Sequence, residues 1–340
     1  MTRHPSTARC CVCALALLAL SVGGARAQTV YFSNSSSAAP HSKTWNGSAW
    51  SVATILPTIN KSSDAAWIQA AASPSQTEIV VGVSNPNPHR AKYVMFNTGG
   101  GFGTPTQISA NSTDTAAREF AVAHEQLSGD CMLVYSPESD AVFTAQPAVA
   151  GALGSATTVI TPGGNPCAAR LYPKSGSDEI LLLAVDSAKD LFARVWSGSS
   201  WASTLEVCTD CGVNDRRAFD VAYSPDGSKA LLVYSNNSTT PVYRTYSSGS
   251  WSAAVNMSSL GATQPQVVQL KPWGTAGDIW VLMSDSGRDL DAWKWNGSSM
   301  GAKSTIETSL GGSLDKEQFW MPGPATVASL KIVNWAEVDP

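Results

Sequence analysis

Charged side chains recur beside short apolar runs, and they are the residues whose types could do chemistry. They are Arg118, Glu119, Arg170, Arg217, Asp220 and Glu317. Aligned on the apolar residue that follows, Arg118, Arg217 and Glu317 share one position, and Arg170 lies near it in its own segment. Because the planar guanidinium group binds carboxylates in bidentate fashion, this set predicts a site for an anionic or polyhydroxy ligand, such as a sialic or uronic acid. The alternative is ion pairing within the set, as between Arg217 and Asp220.

Hydrolysis of a glycan needs a more specific arrangement. Glycosidases place two carboxyl groups roughly 5–10 Å apart and hold one of them protonated. Glu119, Asp220 and Glu317 are the conceivable members, but no spacing singles out a pair. Phosphate-cradling glycine loops and serine-hydrolase elbows are absent from the sequence. We therefore expect no cofactor, and the sequence favours binding over catalysis.

The segments that must position these residues are repeated. The phrase "WNGSAW" at 45–50 returns as "WSGSSW" at 196–201, "YSSGSW" at 246–251 and "WNGSSM" at 295–300. One column, spaced by 49–51 residues, contains Trp45, Phe96, Ala145, Trp196, Tyr246 and Trp295. A period near 50 residues indicates a propeller or a solenoid.

Each repeat contains four strand-like runs bounded by Pro, Gly, Asn and Ser, which is the pattern of a propeller blade. We predict an all-β fold, a six-bladed β-propeller of four-stranded antiparallel blades. Five units are complete: 64–110, 116–160, 166–207, 216–257 and 264–309. The sixth is split: C-terminal segments 316–322 and 329–337 supply its first two strands, and N-terminal segments 41–45 and 50–56 supply the last two. Residues 29–34 compete for the second strand, so seven blades are the alternative.

The aromatic phrase is predicted to be the hairpin between the third and fourth strands of a blade. Asn-Gly and Ser-Gly supply the positive φ angles that tight hairpins require. The flanking aromatic residues then pair across the two strands and fill the wedge between neighbouring blades. A ligand-binding role for these rings is the alternative interpretation.

The N-terminus has the pattern of a secretory signal peptide. Arg3 and Arg9 precede an apolar run at 10–22, and Ala25-Arg26-Ala27 forms a cleavage signal. We predict cleavage after Ala27, a signal peptide at 1–27, a propeller domain at 28–340, and a secreted, extracellular or periplasmic protein. Cleavage removes three arginines and no acid, which takes the net charge from −4 to −7. This charge argues against nucleic acid or an anionic membrane as partner, and we expect a monomer.

Four cysteines remain after cleavage, an even number that suits an oxidising compartment. The sequence "CTDC" predicts a small loop disulfide between Cys208 and Cys211. Cys131 and Cys167 either pair or are buried thiols. We predict no metal site, because "CTDC" has no second CxxC and no nearby histidine. Solvation is expected for Asp285, Asp289 and Asp291, since their spacing fits no standard calcium loop.

Two motifs carry a resemblance to known families. "YSPDGSKALLVY" at 223–234 resembles the Ser-Pro-Asp-Gly turn of many propellers, and "SDSGRDLDAW" at 284–293 is similar to the sialidase Asp-box. Together with the repeats, the chain resembles secreted bacterial propellers of the sialidase-like and fucose-lectin-like kinds. The resemblance implies that first strands line a central channel and that ligands bind at one mouth of it.

Three functions follow as hypotheses. The first is a secreted recognition module that binds carbohydrate, because exposed Trp and Tyr offer apolar faces with a polar tip to sugar rings. The second is a glycoside hydrolase of sialidase-like type. The third is a structural or protein-binding extracellular propeller.

Overall fold

The computed structural model describes residues 28–34, 37–59, 67–75, 77–84, 91–110, 120–137, 141–211, 217–274, 277–311, 319–320 and 333–334. These residues form 27 β-strands, and no helix occurs among them, in agreement with the predicted all-β class. No membrane-spanning helix is therefore found in this part of the chain. The signal peptide at 1–27 lies outside the described residues and remains a prediction.

Five antiparallel sheets recur along the chain, one for each complete repeat. The first contains β4 (Trp67–Ala72), β5 (Ile79–Ser84), β6 (Lys92–Asn97) and β7 (Thr106–Ser109). The second contains β8 (Phe120–His124), β9 (Cys131–Tyr135), β10 (Phe143–Val149), β11 (Ala152–Leu153) and β12 (Thr157–Ile160). The third contains β13 (Pro166–Pro173), β14 (Ile180–Asp186), β15 (Leu191–Trp196) and β16 (Leu205–Cys208).

The fourth sheet contains β17 (Phe219–Tyr223), β18 (Ala230–Tyr234), β19 (Val242–Ser247), β20 (Ser250–Trp251) and β21 (Val255–Asn256). The fifth contains β22 (Pro265–Pro272), β23 (Ile279–Asp285), β24 (Leu290–Trp295) and β25 (Ser304–Glu307). In the third and fifth sheets, the hydrogen-bonded order is the chain order. The structure thus shows antiparallel repeats of four or five strands, where the sequence predicts four.

Three further strands precede these sheets, and two follow them. They are β1 (Gln28–Asn34), β2 (Ser37–Trp45), β3 (Thr54–Ile55), β26 (Phe319–Trp320) and β27 (Val333–Asn334). β2 pairs with β1 on one side and with β3 on the other. The strand position beside β2 is therefore filled by 28–34, which settles the competition for that position against the C-terminal segment. β26 pairs with β27, as expected for two consecutive strands.

The chain divides into two compact units. The first comprises 1–124, 130–140 and 145–157, and the second comprises 125–129, 141–144 and 158–340. Apolar clusters join adjacent sheets inside each unit. In the first unit, Val80 on β5 packs with Phe120 on β8. In the second, Leu183 on β14 packs with Phe219 on β17, and Val233 on β18 packs with Val281 on β23.

The repeat at β10 and β11 lacks the aromatic hairpin, as its sequence indicates. Val149 pairs with Ala152 across a two-residue turn. Both turn residues have positive φ, 48° at Ala150 and 78° at Gly151, which matches the twist of the flanking strands. A tight turn closes this hairpin without an aromatic pair.

Gly82 on β5 allows a close approach of the Phe120 ring, because a Cβ at this position would overlap that ring. We expect Gly82→Ala to overpack the interface and lower the free energy of unfolding by about 1–3 kcal/mol in urea denaturation. Gly100→Ala is the control, since nothing lies within 4 Å of a Cβ added there. Equal losses in the two variants would contradict this packing.

Candidate functional site

Asp220 is the centre of a polar cluster on the first strands of three consecutive sheets. Its Oδ1 accepts a hydrogen bond from the hydroxyl of Tyr172 at 2.7 Å. Its Oδ2 accepts from the backbone N–H of Leu270 at 2.8 Å and pairs with Nη2 of Arg217 at 2.7 Å. The Asp220 side chain is 2% exposed. One buried carboxylate thus ties β13, β17 and β22 together.

The cluster fixes the protonation of its members. Burial by itself raises the pKa of Asp220, but the charge of Arg217 and the hydrogen bonds to the carboxylate together hold that pKa below its usual value. Burial, with the negative charge of Asp220, raises the pKa of Tyr172. Burial also lowers the pKa of Lys271, and Arg217 adds to that effect although Asp220 opposes it. Asp220 is therefore ionised, and it carries no proton to donate as a general acid.

The predicted ligand residues are only partly brought together. Arg217 and Asp220 form the ion pair that was the alternative interpretation of their spacing. Arg170 lies on β13 close enough to lower the pKa of Tyr172 by its charge. Arg118, Glu119 and Glu317 lie outside the described residues, so their place at this site remains a prediction.

The strands reveal an equivalent position that the sequence alignment missed. Four residues before the first turn of their sheets stand Gln69, Arg170, Asp220 and Gln269. Gln69 accepts from the N–H of Val122 at 3.2 Å, and Gln269 donates to the carbonyl of Phe319 at 2.9 Å. Arg170 is thus equivalent to Asp220, three residues further along the strand than Arg217. A polar residue at a fixed distance before the first turn in four of the five sheets was the available signal; the second sheet has Ala121 there.

The aromatic phrases form a second recurring feature, which we call the aromatic hairpins. They are Trp45–Trp50, Trp196–Trp201 and Tyr246–Trp251. Their ring centroids lie 5.6, 5.5 and 5.1 Å apart, with interplanar angles of 55°, 53° and 51°. The predicted cross-strand pairing is confirmed, and one geometry is repeated three times.

The first ring of a hairpin packs against the preceding sheet. Nε1 of Trp196 donates to Oε1 of Glu125 at 2.5 Å, and the Ser128 hydroxyl donates to Oε2 of the same carboxylate at 2.5 Å. Nζ of Lys229 lies 5.9 Å from the ring centroid of Trp295 and donates to the carbonyl of Gly297 at 2.7 Å. The predicted wedge-filling role is confirmed for these rings.

The second ring of each aromatic hairpin keeps contact with solvent. Trp50 is 45% exposed, and Trp201 and Trp251 are partly buried. In contrast, Trp295 is fully buried and its partner across the strands is Met300. The aromatic hairpins therefore offer indole surface that the other repeats do not.

The predicted disulfide between Cys208 and Cys211 is wrong, whereas the buried-thiol alternative for Cys131 and Cys167 agrees with the structure. Cys208 and Cys211 are free thiols, as are the buried Cys131 and Cys167. The Cys211 thiol donates to the carbonyl of Cys208 at 3.8 Å, and the interaction with Cys211 lowers the pKa of Cys208. Burial raises the pKa of Cys211, and it also raises that of Cys131.

Two of the three aspartates at 285–291 also differ from the prediction. Asp285 and Asp291 are each 1% exposed rather than solvated. Oδ1 of Asp285 accepts from the N–H of Gly287 at 2.9 Å, and Oδ2 of Asp291 lies 3.2 Å from Nζ of Lys303. Asp285 stabilises a turn, and Asp291 connects β24 to the segment of β25. Across the described ranges, no group of three or more His, Cys, Asp or Glu side chains is arranged to hold a metal ion.

Comparison with known proteins shows similarity in structure only. No protein-family model and no curated protein matches the sequence. The BP39L lectin from Burkholderia pseudomallei aligns with a TM-score of 0.56 and 13% identity, over 83% of this chain and 81% of that chain. This likeness shows that the two proteins share a fold.

Two more lectins align less closely. The Aleuria aurantia lectin, which has a six-bladed β-propeller fold, gives a TM-score of 0.44 and 15% identity over 87% of this chain and 96% of that one. The SapL1 lectin, solved with α-methyl fucoside, gives a TM-score of 0.45 and 12% identity over 88% of this chain and 97% of that one. Scores below 0.5 add nothing to the argument from BP39L.

Removal of the buried carboxylate should cost stability and change its pH dependence. We expect Asp220→Asn to lower the free energy of unfolding at pH 7 by about 3–5 kcal/mol, because Arg217 loses its charged partner. Because the folded pKa of Asp220 is depressed, its stabilisation is present above the unfolded pKa, about 3.9, and is lost as pH falls through the folded pKa. Urea denaturation from pH 7 to pH 3 should therefore show a narrowing gap between wild type and variant. A gap independent of pH would contradict the ion pair.

The free thiols can be counted directly. In protein that begins at Gln28, we expect one thiol to react rapidly with Ellman's reagent, because Cys208 is partly exposed and has a lowered pKa. All four thiols should react after unfolding without reductant. A count of two in the unfolded protein would establish a disulfide instead.

Proposed function

We propose that this protein is a lectin-like recognition module that binds glycans at its aromatic hairpins. The observation that carries the proposal is the partly exposed tryptophan that follows each paired ring, at Trp50, Trp201 and Trp251. An indole offers a broad apolar face beside a polar N–H, and sugar rings offer C–H faces beside hydroxyl groups. Repetition on separate sheets would let one chain engage several sugar residues at once.

The likeness to a lectin supports the same proposal. BP39L is a lectin, and it shares its fold with this chain. Because unrelated functions occur on one fold, this support is an analogy, and the hairpin geometry carries the argument. Ligand identity must therefore come from the side chains.

Binding is favoured over hydrolysis by the state of Asp220. A glycosidase needs a carboxylic acid that stays protonated near its working pH. The pKa of Asp220 is lowered, and both of its oxygens already accept hydrogen bonds or pair with Arg217. No described residue of the predicted set supplies the acid.

The remaining features of the proposal concern architecture and location. We propose a secreted, monomeric propeller of six blades whose ring is closed by the terminal strands, with seven blades as the alternative. We also propose Arg118, Glu119, Arg170, Arg217 and Glu317 as further candidate ligand residues. Asp220 would then orient Arg217 instead of contacting the ligand.

A glycan array tests the function. We expect protein that begins at Gln28 to bind a subset of glycans, and Trp201→Ala with Trp251→Ala to reduce that binding at least about tenfold, a change of about 1.4 kcal/mol. Met300→Ala is the matched control, because Met300 holds the same hairpin position without an aromatic ring. Circular dichroism would verify the fold of each variant. Binding to no glycan, or undiminished binding by the double variant, would refute the proposal.

A further inference from the structure

We infer that the glycan sites take sugars that carry a carboxylate, and that there are three such sites, one on each aromatic hairpin. The inference rests on the proposed function and deepens it. It names the class of sugar, a uronic or similar sugar acid, and the number of places that bind it. Both follow from a cation that accompanies the aromatic hairpins and is missing from the other repeats.

The cation stands two residues before the first aromatic ring and seven before the tryptophan. The three are Lys43, Arg194 and Arg244. Residues two apart on a strand share a face of the sheet, so each cation lies on the same face as the first ring that follows it. The cross-strand pairing of Trp196 with Trp201 brings the second ring to that face as well.

Arg194 shows how the cation and the ring are arranged. Its Cζ lies 6.0 Å from the ring centroid of Trp201, and its Nε donates to the carbonyl of Ala202 at 2.6 Å. Nη1 donates to the carbonyl of Val159. Arginine has five N–H donors, and among the described residues Nη2 has no hydrogen-bond partner. The backbone thus holds the guanidinium in place and leaves one edge for a ligand.

Arg244 repeats this anchoring in the next sheet. Its Nη1 donates to the carbonyl of Ser252 at 2.8 Å, and Ser252 directly follows Trp251 as Ala202 follows Trp201. On both sheets the carbonyl that follows the second ring accepts a hydrogen bond from the arginine, from Nε of Arg194 and from Nη1 of Arg244, and Arg244 also hydrogen-bonds the hydroxyl of Tyr234. Lys43 occupies the same sequence position in the hairpin of Trp50.

The other repeats lack the combination. Val94 replaces the cation before Phe96, and Phe102 packs edge-on against Tyr31 instead of its own hairpin partner. The hairpin at Ala150–Gly151 has no aromatic ring. In the fifth sheet, Trp293 occupies the position of the cation before Trp295, and both tryptophans are fully buried. Three complete sets therefore predict three sites.

A sugar acid matches both the indole ring and the cation of each aromatic hairpin. Its ring can lie on the indole while its carboxylate accepts two hydrogen bonds from a guanidinium edge. A neutral sugar would desolvate part of the cation without pairing it, which is unfavourable. The chain is net negative, at −4, so its overall charge does not attract anions and the preference must arise locally.

The test uses methyl β-D-glucuronide and methyl β-D-glucoside. The two differ only at C6, which is a carboxylate in the glucuronide and a hydroxymethyl group in the glucoside. We expect titration with the glucuronide to shift the indole N–H signals of Trp50, Trp201 and Trp251 in nuclear magnetic resonance spectra, and to leave Trp295 unmoved. The glucoside should bind at least about tenfold more weakly. Added salt should weaken binding of the glucuronide and leave binding of the glucoside unchanged, because salt screens only the interaction between the carboxylate and the cation.

Single variants then assign the cations. Lys43→Met should abolish the shift at Trp50 and leave Trp201 and Trp251 responsive. Among the described residues, the Lys43 side chain has no hydrogen-bond partner, and the substitution keeps the backbone pairing of β2 with β1. Arg194→Met should silence Trp201 alone, with thermal unfolding measured because its anchors are lost. Lys294→Met is the control, since this lysine adjoins Trp295 and pairs with Asp278 at 2.6 Å.

The outcomes separate this inference from the proposed function. Equal binding of the two glycosides, shifts at a number of hairpins other than three, or no effect of Lys43→Met and Arg194→Met would overturn the inference and leave the proposed lectin function standing. Binding of array glycans without binding of the glucuronide would overturn it as well. Absence of binding to every array glycan would remove the function itself.

Discussion

Each four-stranded sheet has apolar faces that it cannot bury alone, and the rest of the structure depends on how neighbouring sheets cover them. The second strands show the constraint most clearly, since every residue of β14 from Ile180 to Asp186 is buried. Leu183 needs Phe219 from the next sheet, and Val233 needs Val281 from the one after. Burial of this kind, at roughly 25 cal/mol per Å² of apolar surface, favours stacking of the sheets over separate folding.

Polar residues at the same junctions determine how the sheets fit. Gln69, Asp220 and Gln269 each reach the backbone of the following first strand. A buried polar group without a partner is costly, so these contacts select one alignment of neighbouring strands over others. Asp220 does this with a charge and therefore requires Arg217 beside it. The cluster around Asp220 has the composition of a ligand site, but its contacts show that it connects neighbouring sheets.

The aromatic hairpins combine structural and binding roles on different rings. The first ring packs towards the preceding sheet, as Trp196 does with Glu125. The second ring is held against the first and keeps part of its surface exposed, and that exposed part is available for a ligand. A repeat can lose the second ring without losing its packing, as the pair Trp295 and Met300 illustrates. Recognition can therefore vary from repeat to repeat on a constant scaffold.

The sequence by itself determined the period, the strand type and the hairpin positions. These depend on local patterns: alternation, turn residues and an aromatic column repeated about every 50 residues. Tertiary structure alone decided what distant side chains do. Spacing could align Arg217 with Arg118, but only the fold shows Arg217 paired with Asp220 and Tyr172 bound to the same carboxylate. It also showed Cys208 and Cys211 as thiols and 28–34 as the neighbour of β2. Such outcomes depend on distances between residues far apart in the chain, and local sequence patterns do not contain those distances.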